Sequence, residues 1–230
     1  MRTDFRLFSL IHLAILTAVP LIASILAAVA RRDRRYARRI SLSLAAMLTV
    51  NEIIWYSYRY STEGFRFPEG LPLQLCDAMV WLAVAALLTP VQWVFETAFL
   101  IGIAGAGMAL LTPDLWAPLR SYPSVYFFLA HGAIVIAVLY LVWSNMRSLQ
   151  PGCVWRVFVS VNLFAGIVGT FNAIFQTNYM YLCRKPGGAS LLDYFGPWPV
   201  YLLCGELLAL MLLWLLWLPF VIARRRAVAQ

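Results

Sequence analysis

LFSLIHLAILTAVPLIASILAAVA, Leu7 to Ala30, followed at once by RRDRRYARR, Arg31 to Arg39, decides the fold of this chain. The first stretch holds no charge, and as a helix rising about 1.5 Å per residue it reaches roughly 36 Å, enough to cross a hydrocarbon core of about 30 Å. Lipid offers no water to backbone polar groups, so a spanning segment must satisfy them itself. A continuous apolar run, without alternation, selects a helix over a barrel strand. Its end, Ala27-Ala28-Val29-Ala30, imitates a signal-peptidase site. The run is too long for a signal peptide's apolar region, however, and six arginines follow at 31, 32, 34, 35, 38 and 39. Such a cluster resists translocation. The segment reads as an uncleaved helix with its N-terminus outside.

The rest of the chain repeats this pattern. Apolar runs begin near Ile40, Pro72, Val91, Tyr122, Trp155 and Trp198, which makes seven crossings with the first. Of the 18 Lys and Arg residues, 11 then fall on the inner side, including Arg31–Arg39 and Arg224–Arg226. This is the positive-inside pattern for an N-outside, C-inside protein. At 63% hydrophobic and 12% charged residues the chain is no soluble domain. Its net charge of +8 comes mostly from arginines between apolar runs, which argues against nucleic-acid binding. Gly102, Gly105 and Gly107 suggest close helix packing, and Glu96 is expected near water at the inner end of its helix.

Polar residues concentrate in the outer half of these helices. Pro72 suits a first helical turn, and the stretch Leu71-Pro72-Leu73-Gln74-Leu75-Cys76-Asp77 carries a thiol and a carboxylate into a helix mouth. At similar depth come Glu52, His131, Asn172, Gln176, Cys204 and Glu206, with Asn178 just beyond; the inner half offers Glu96 and Asn162. Interhelical glue would be spread through both leaflets, so clustering in one argues for a cavity open outward. Each group also has a plainer reading: Cys76 as a small buried residue, Asp77 as a partner of Arg59 or Arg66, His131 as a helix–helix hydrogen bond, Arg59 as a partner of Glu63. A nucleophilic thiol needs a base in reach. His131 is the deeper of two histidines, with His12 as the shallower rival. The four cysteines, at 76, 153, 183 and 204, show no metal-site spacing, and they leave Cys76–Cys183 and Cys183–Cys204 pairings open.

Leu71 to Asp77, Leu111-Thr112-Pro113-Asp114, Ala130-His131-Gly132, Thr177-Asn178-Tyr179-Met180 with Lys185-Pro186, and Asp193 before Gly196-Pro197-Trp198-Pro199 together resemble the YwaF-like bacterial integral membrane proteins. That family is distantly similar to the animal multi-pass ether-phospholipid acyltransferases and more remotely to threonine-type membrane lipid hydrolases. The resemblance implies a catalytic cysteine and histidine, which by motif position are Cys76 and His131. The residue after the animal cysteine is a histidine; here it is Asp77, which leaves the substrate and the retention of activity open.

The expectation is therefore an all-α integral membrane protein, residues 1–230 as a single seven-helix domain in the bacterial inner membrane. Its expected function is cysteine-dependent acyl transfer or acyl hydrolysis on membrane lipids. Cys76 would act as nucleophile and His131 as base, with Glu52, Asp77, Asn172, Gln176, Asn178 and Glu206 supporting or binding a lipid or lysolipid. No metal or cofactor is expected, and the oligomeric state is left open. The alternative is a non-enzymatic small-solute transporter or sensor that uses the same cavity; the absence of an inverted repeat speaks against transport.

Overall fold

The computed structural model describes residues 5–115, 117–187 and 190–228, and among these there is no strand. Seven long helices follow one another: α1 (Leu10–Ala30), α2 (Arg34–Glu63), α3 (Leu75–Leu88), α4 (Gln92–Leu111), α5 (Tyr122–Trp143), α6 (Cys153–Phe175) and α7 (Val200–Val228). All except α3 are long and apolar enough to cross a membrane. The expected all-helical membrane architecture is present. Helix α3, with 14 residues, spans only about 21 Å.

Local chemistry sets the helix ends. Ser9 caps α1, so that helix starts three residues inside the apolar run. The Asp33 carboxylate accepts from the Arg35 N–H at 2.8 Å and caps α2, so the turn between α1 and α2 is only three residues long. Helix α2 runs on to Glu63, held by the Arg59–Glu63 pair at 3.6 Å, and ends at Gly64 with φ of 72°. The expected start of α3 at Pro72 is corrected to Leu75. Gln74 is its cap: the Gln74 carbonyl accepts from the Ala78 N–H, and the Gln74 N–H donates to the Asp77 carboxylate at 3.2 Å. Asp77 thereby makes the acidic half of a capping box and fixes where the helix begins.

Helix α4 contains a π-helical segment, Gly102–Ala106. A Cβ on Gly102 would come within 3.1 Å of Ile134 Cγ2, so α4 and α5 approach closely there. At Gly105 and Gly107 a Cβ would meet nothing within 4 Å, which corrects the expectation of a three-glycine contact face. The π segment alters the rotation between successive residues, so glycines spaced for one α-helical face no longer share it. Glu96 is also corrected: it is fully buried, and its Oε1 accepts from Gln92 Nε2 at 2.9 Å. Gln92 Nε2 also donates to the Ser148 carbonyl at 2.9 Å, so the end of α4 is covered by the segment after α5.

The chain divides into two compact units, with the boundaries at 64/65, 78/79 and 148/149. The first comprises the N-terminal part through Gly64 together with Met79–Ser148. Helix α5 is its centre, burying Ala133, Ile134, Ala137, Val138 and Tyr140 against α1, α2 and α4. Small residues allow this: a Cβ at Gly132 would sit 3.4 Å from Val19 of α1. Tyr140 donates to the Ala37 carbonyl at 2.8 Å, and Arg31 donates to the Trp143 carbonyl at 2.6 Å. The second unit comprises Phe65–Ala78 and the chain from Leu149. There α7 leaves Leu203, Leu207, Met211 and Leu215 exposed along one stripe, which suits lipid contact. All four cysteines are free, so neither pairing left open by the sequence has formed.

Candidate functional site

Cys76 is the second residue of α3, and its side chain is exposed, whereas Cys153 is buried. The segment carrying it is tied to the stretch after α6 by side-chain bonds to backbone. Tyr179, itself buried, donates its hydroxyl to the Pro68 carbonyl at 2.7 Å and accepts from the Leu71 N–H at 2.9 Å. Gln74 Oε1 accepts from the Met180 N–H at 3.0 Å, and the Phe67 ring meets Phe175 edge-on with centroids 5.1 Å apart. These contacts flank Cys76 and fix the loop that presents it.

Asn172 makes Tyr179 available. The chain leaves α6 through Gln176 in the left-handed region, φ 56°. Asn172 then folds it back: its Oδ1 accepts from Thr177 Oγ1 at 2.7 Å and the Tyr179 N–H at 2.9 Å, while its Nδ2 donates to the Tyr179 carbonyl at 2.9 Å. Asn178 does the same for the next turn, accepting from the N–H groups of Cys183 and Arg184 at 3.1 Å and donating to the Arg184 carbonyl at 2.8 Å. Gln176 donates to the Ala173 carbonyl at 2.8 Å on an exposed surface.

The first unit holds the histidines, and they are in opposite tautomers. His12 is fully buried; its Nδ1 accepts from the Phe8 N–H at 2.9 Å, and its Nε2 donates to the Leu110 carbonyl at 2.7 Å. Both nitrogens are spent on structure: Nε2 ties α1 to α4, and Nδ1 holds the residues before α1. His131 is also buried, with Nδ1 2.7 Å from the Phe127 carbonyl. A carbonyl can only accept, so Nδ1 carries the proton, and in the neutral imidazole the lone pair is on Nε2. Among the described residues Nε2 has no hydrogen-bond partner. The base-competent nitrogen is thus set by the backbone one turn earlier.

Glu52 is fully buried, eleven residues before the end of α2 and so about 16 Å from it, deeper than a helix ending at Tyr60 implies. Its Oε2 accepts from the Tyr126 hydroxyl of α5 at 2.8 Å, and Trp55 stacks on the Tyr126 ring with centroids 4.2 Å apart. Tyr58 and Tyr122 extend this aromatic cluster.

A family model described as the TMEM164 family matches residues 4–217, nearly the whole sequence. The chain belongs to the TMEM164 family. It is a multi-pass membrane protein, as the composition and the six long apolar helices require. Comparison with curated proteins finds no match, and comparison with solved structures finds none either.

In this TMEM164-family chain the sequence-expected residues fall into two sets. Glu52 and His131 are in the first unit; Cys76, Asp77, Asn172, Gln176, Asn178 and Glu206 are in the second. Glu206 accepts from Asn162 Nδ2 at 3.0 Å. Depth counted from helix ends sets these two in opposite halves, yet they meet, which corrects the expected separation in depth. No group of three or more His, Cys, Asp or Glu side chains suited to a metal ion occurs among the described residues. Sequence reasoning missed the organising roles of Tyr179, Gln74 and Tyr126. The signal was available for the first, since Asn178-Tyr179-Met180 follows a polar helix end.

Proposed function

We propose that this protein catalyses thiol-dependent acyl transfer on membrane lipids, with Cys76 as nucleophile and His131 as general base. The observation that carries the reading is the contrast between the two histidines: His12 spends both ring nitrogens on structure, whereas His131 spends only Nδ1 and keeps a basic Nε2. An exposed thiol in the first turn of α3, just after a loop clamped at Tyr179 and Gln74, suits a nucleophile better than a packing residue. The resemblance to the YwaF-like proteins, and through them to multi-pass acyltransferases, supports the same pair.

In this mechanism the Cys76 S–H gives its proton to His131 Nε2, and the sulfur attacks the carbonyl carbon of a lipid ester. The C–O bond breaks, the lysolipid oxygen takes the proton from His131, and the acyl group stays on Cys76 as a thioester. An acceptor hydroxyl then gives its proton to His131 while its oxygen attacks the thioester carbon. The C–S bond breaks and the sulfur is reprotonated. The developing oxyanion calls for donors without a prior partner. The first-turn N–H groups of Leu75 and Cys76 meet that need better than Asn172 or Asn178, whose amides are bonded within their own loops. The arginine pattern supports an N-outside, C-inside orientation, with the thiol at the outer face, and the resemblance to bacterial proteins supports an inner-membrane location.

The test is acyl exchange between labelled phospholipid and lysophospholipid in proteoliposomes. Cys76→Ser and His131→Ala should each abolish exchange, and the double variant should be no worse than either single one. Wild-type inactivity across ester and ether lipids, with solute binding or flux in its place, would favour the transporter or sensor reading.

A further inference from the structure

The first unit carries a second feature, unrelated to the thiol or His131. Where α1 ends and α2 begins, next to the ends of α3 and α5, a cavity of about 960 Å³ opens, lined by Arg31, Arg32, Arg34, Arg38 and Arg147. Three different segments supply these arginines. Two of them are pinned by helix-end carbonyls: Arg31 donates to Trp143, and Arg147 donates to Thr89 at 2.7 Å and Pro90 at 3.0 Å. Each guanidinium has five N–H donors, so both retain donors for a ligand while their planes are held. Arg32, Arg34 and Arg38 have no carboxylate within 4.0 Å among the described residues. The one acid in the wall, Asp33, is engaged as the α2 cap.

The lining also has an apolar share. Leu42, Leu87, Leu88 and Met146 supply it, and three of the four are well exposed. Ser41, Ser144 and Asn145 add neutral polar groups. Five cations against one acid call for an anion, and planar guanidiniums match the oxygens of a phosphate. A soluble phosphate would leave the lining leucines in water, whereas a phospholipid covers them with its acyl chains.

We propose that this cavity binds the phosphate headgroup of an anionic phospholipid. Positive-inside topology explains why arginines follow α1, but it does not distinguish Arg34 and Arg38 from Arg35 and Arg39. The cavity does: Arg34 and Arg38 line it, and Arg35 and Arg39 do not. Each pair is spaced i, i+4 on α2, and each contributes the same charge to topology. The proposed orientation puts the cavity in the cytoplasmic leaflet, whose anionic lipids basic pockets between helix ends retain.

The test uses the full-length protein, purified in detergent and stripped of lipid, with binding read by native mass spectrometry. The probes are phosphatidylglycerol, phosphatidylcholine and glycerol 3-phosphate. The expected result is one preferentially bound phosphatidylglycerol, tightened at least tenfold over phosphatidylcholine. Arg34→Gln with Arg38→Gln should weaken that binding about tenfold or more, while Arg35→Gln with Arg39→Gln leaves it within about twofold. If the lining pair fails to fold, Arg147→Lys, which keeps the charge and loses the fork, should still weaken phosphatidylglycerol binding several-fold. Equal losses in both double variants, or equal binding of the two lipids, would overturn the proposal. Competition by glycerol 3-phosphate at the lipid's own concentration would also overturn it, by assigning the cavity to a soluble phosphate.

Discussion

Tyr179→Phe isolates the clamp that holds the Cys76 segment. The substitution keeps the ring, and with it the contact to Phe171 at 6.0 Å, but deletes a hydroxyl that makes two hydrogen bonds, to the Pro68 carbonyl and from the Leu71 N–H. A net contribution of about 1 kcal/mol for each bond gives a loss of about 2 kcal/mol, felt locally by residues 65–78. At 1.4 kcal/mol per factor of ten, local opening of that segment should rise roughly thirtyfold. Hydrogen exchange followed by mass spectrometry on the protein in nanodiscs reads this directly: a peptide covering 65–78 should exchange up to thirtyfold faster, with α5 peptides unchanged. Tyr181→Phe is the control, since that side chain is exposed and its backbone carbonyl, not its hydroxyl, takes the bond from Tyr201. Unchanged exchange in Tyr179→Phe would refute the clamp.

Other outcomes follow from the same geometry. His12→Ala should destabilise the protein by about 2–4 kcal/mol in thermal or chemical unfolding, because it opens a buried cavity and strands the Leu110 carbonyl and the Phe8 N–H. Glu52→Gln and Tyr126→Phe should show a coupling energy of at least about 0.5 kcal/mol in a double-mutant cycle; additive effects would mean that the 2.8 Å bond does not hold α2 to α5. Gly105→Ala should raise the melting temperature, by up to about 1 kcal/mol of stability, while Gly102→Ala should melt below it because its methyl meets Ile134; the reverse order would contradict the close approach at Gly102.

The membrane architecture was legible because length, apolarity and arginine placement act locally along the chain. Leu7–Ala30 and Arg31–Arg39 require a helix followed by a turn whatever the tertiary structure. Helix starts were less legible. Pro72 suits a first turn, but Asp77 reaching back to Gln74 moves the start of α3 three residues on, a competition between two good caps that only geometry resolves. The glycines of α4 pointed to close packing, and the π segment, invisible in the residue pattern, reassigned which one makes it. Glu96 and Glu206 were placed by counting from helix ends, whereas what fixes them is a side-chain partner: Gln92, one turn earlier and held by Ser148, for one, and Asn162 of α6 for the other. In the sequence the two histidines differ in depth and in the Ala130-His131-Gly132 motif around one of them, and neither reveals a tautomer. Their opposite tautomers depend on Leu110 and Phe127, one 98 residues away and the other one turn away.

The central claim is that Cys76 carries the acyl group and His131 activates it. Intact-protein and peptide mass spectrometry after incubating the purified protein with phospholipid tests this most directly. The account predicts an acyl adduct on the peptide containing Cys76, released by neutral hydroxylamine as a thioester must be, and absent in both Cys76→Ser and His131→Ala. An adduct on Cys183 or Cys204 instead, or acylation of Cys76 at the wild-type rate in His131→Ala, would contradict it.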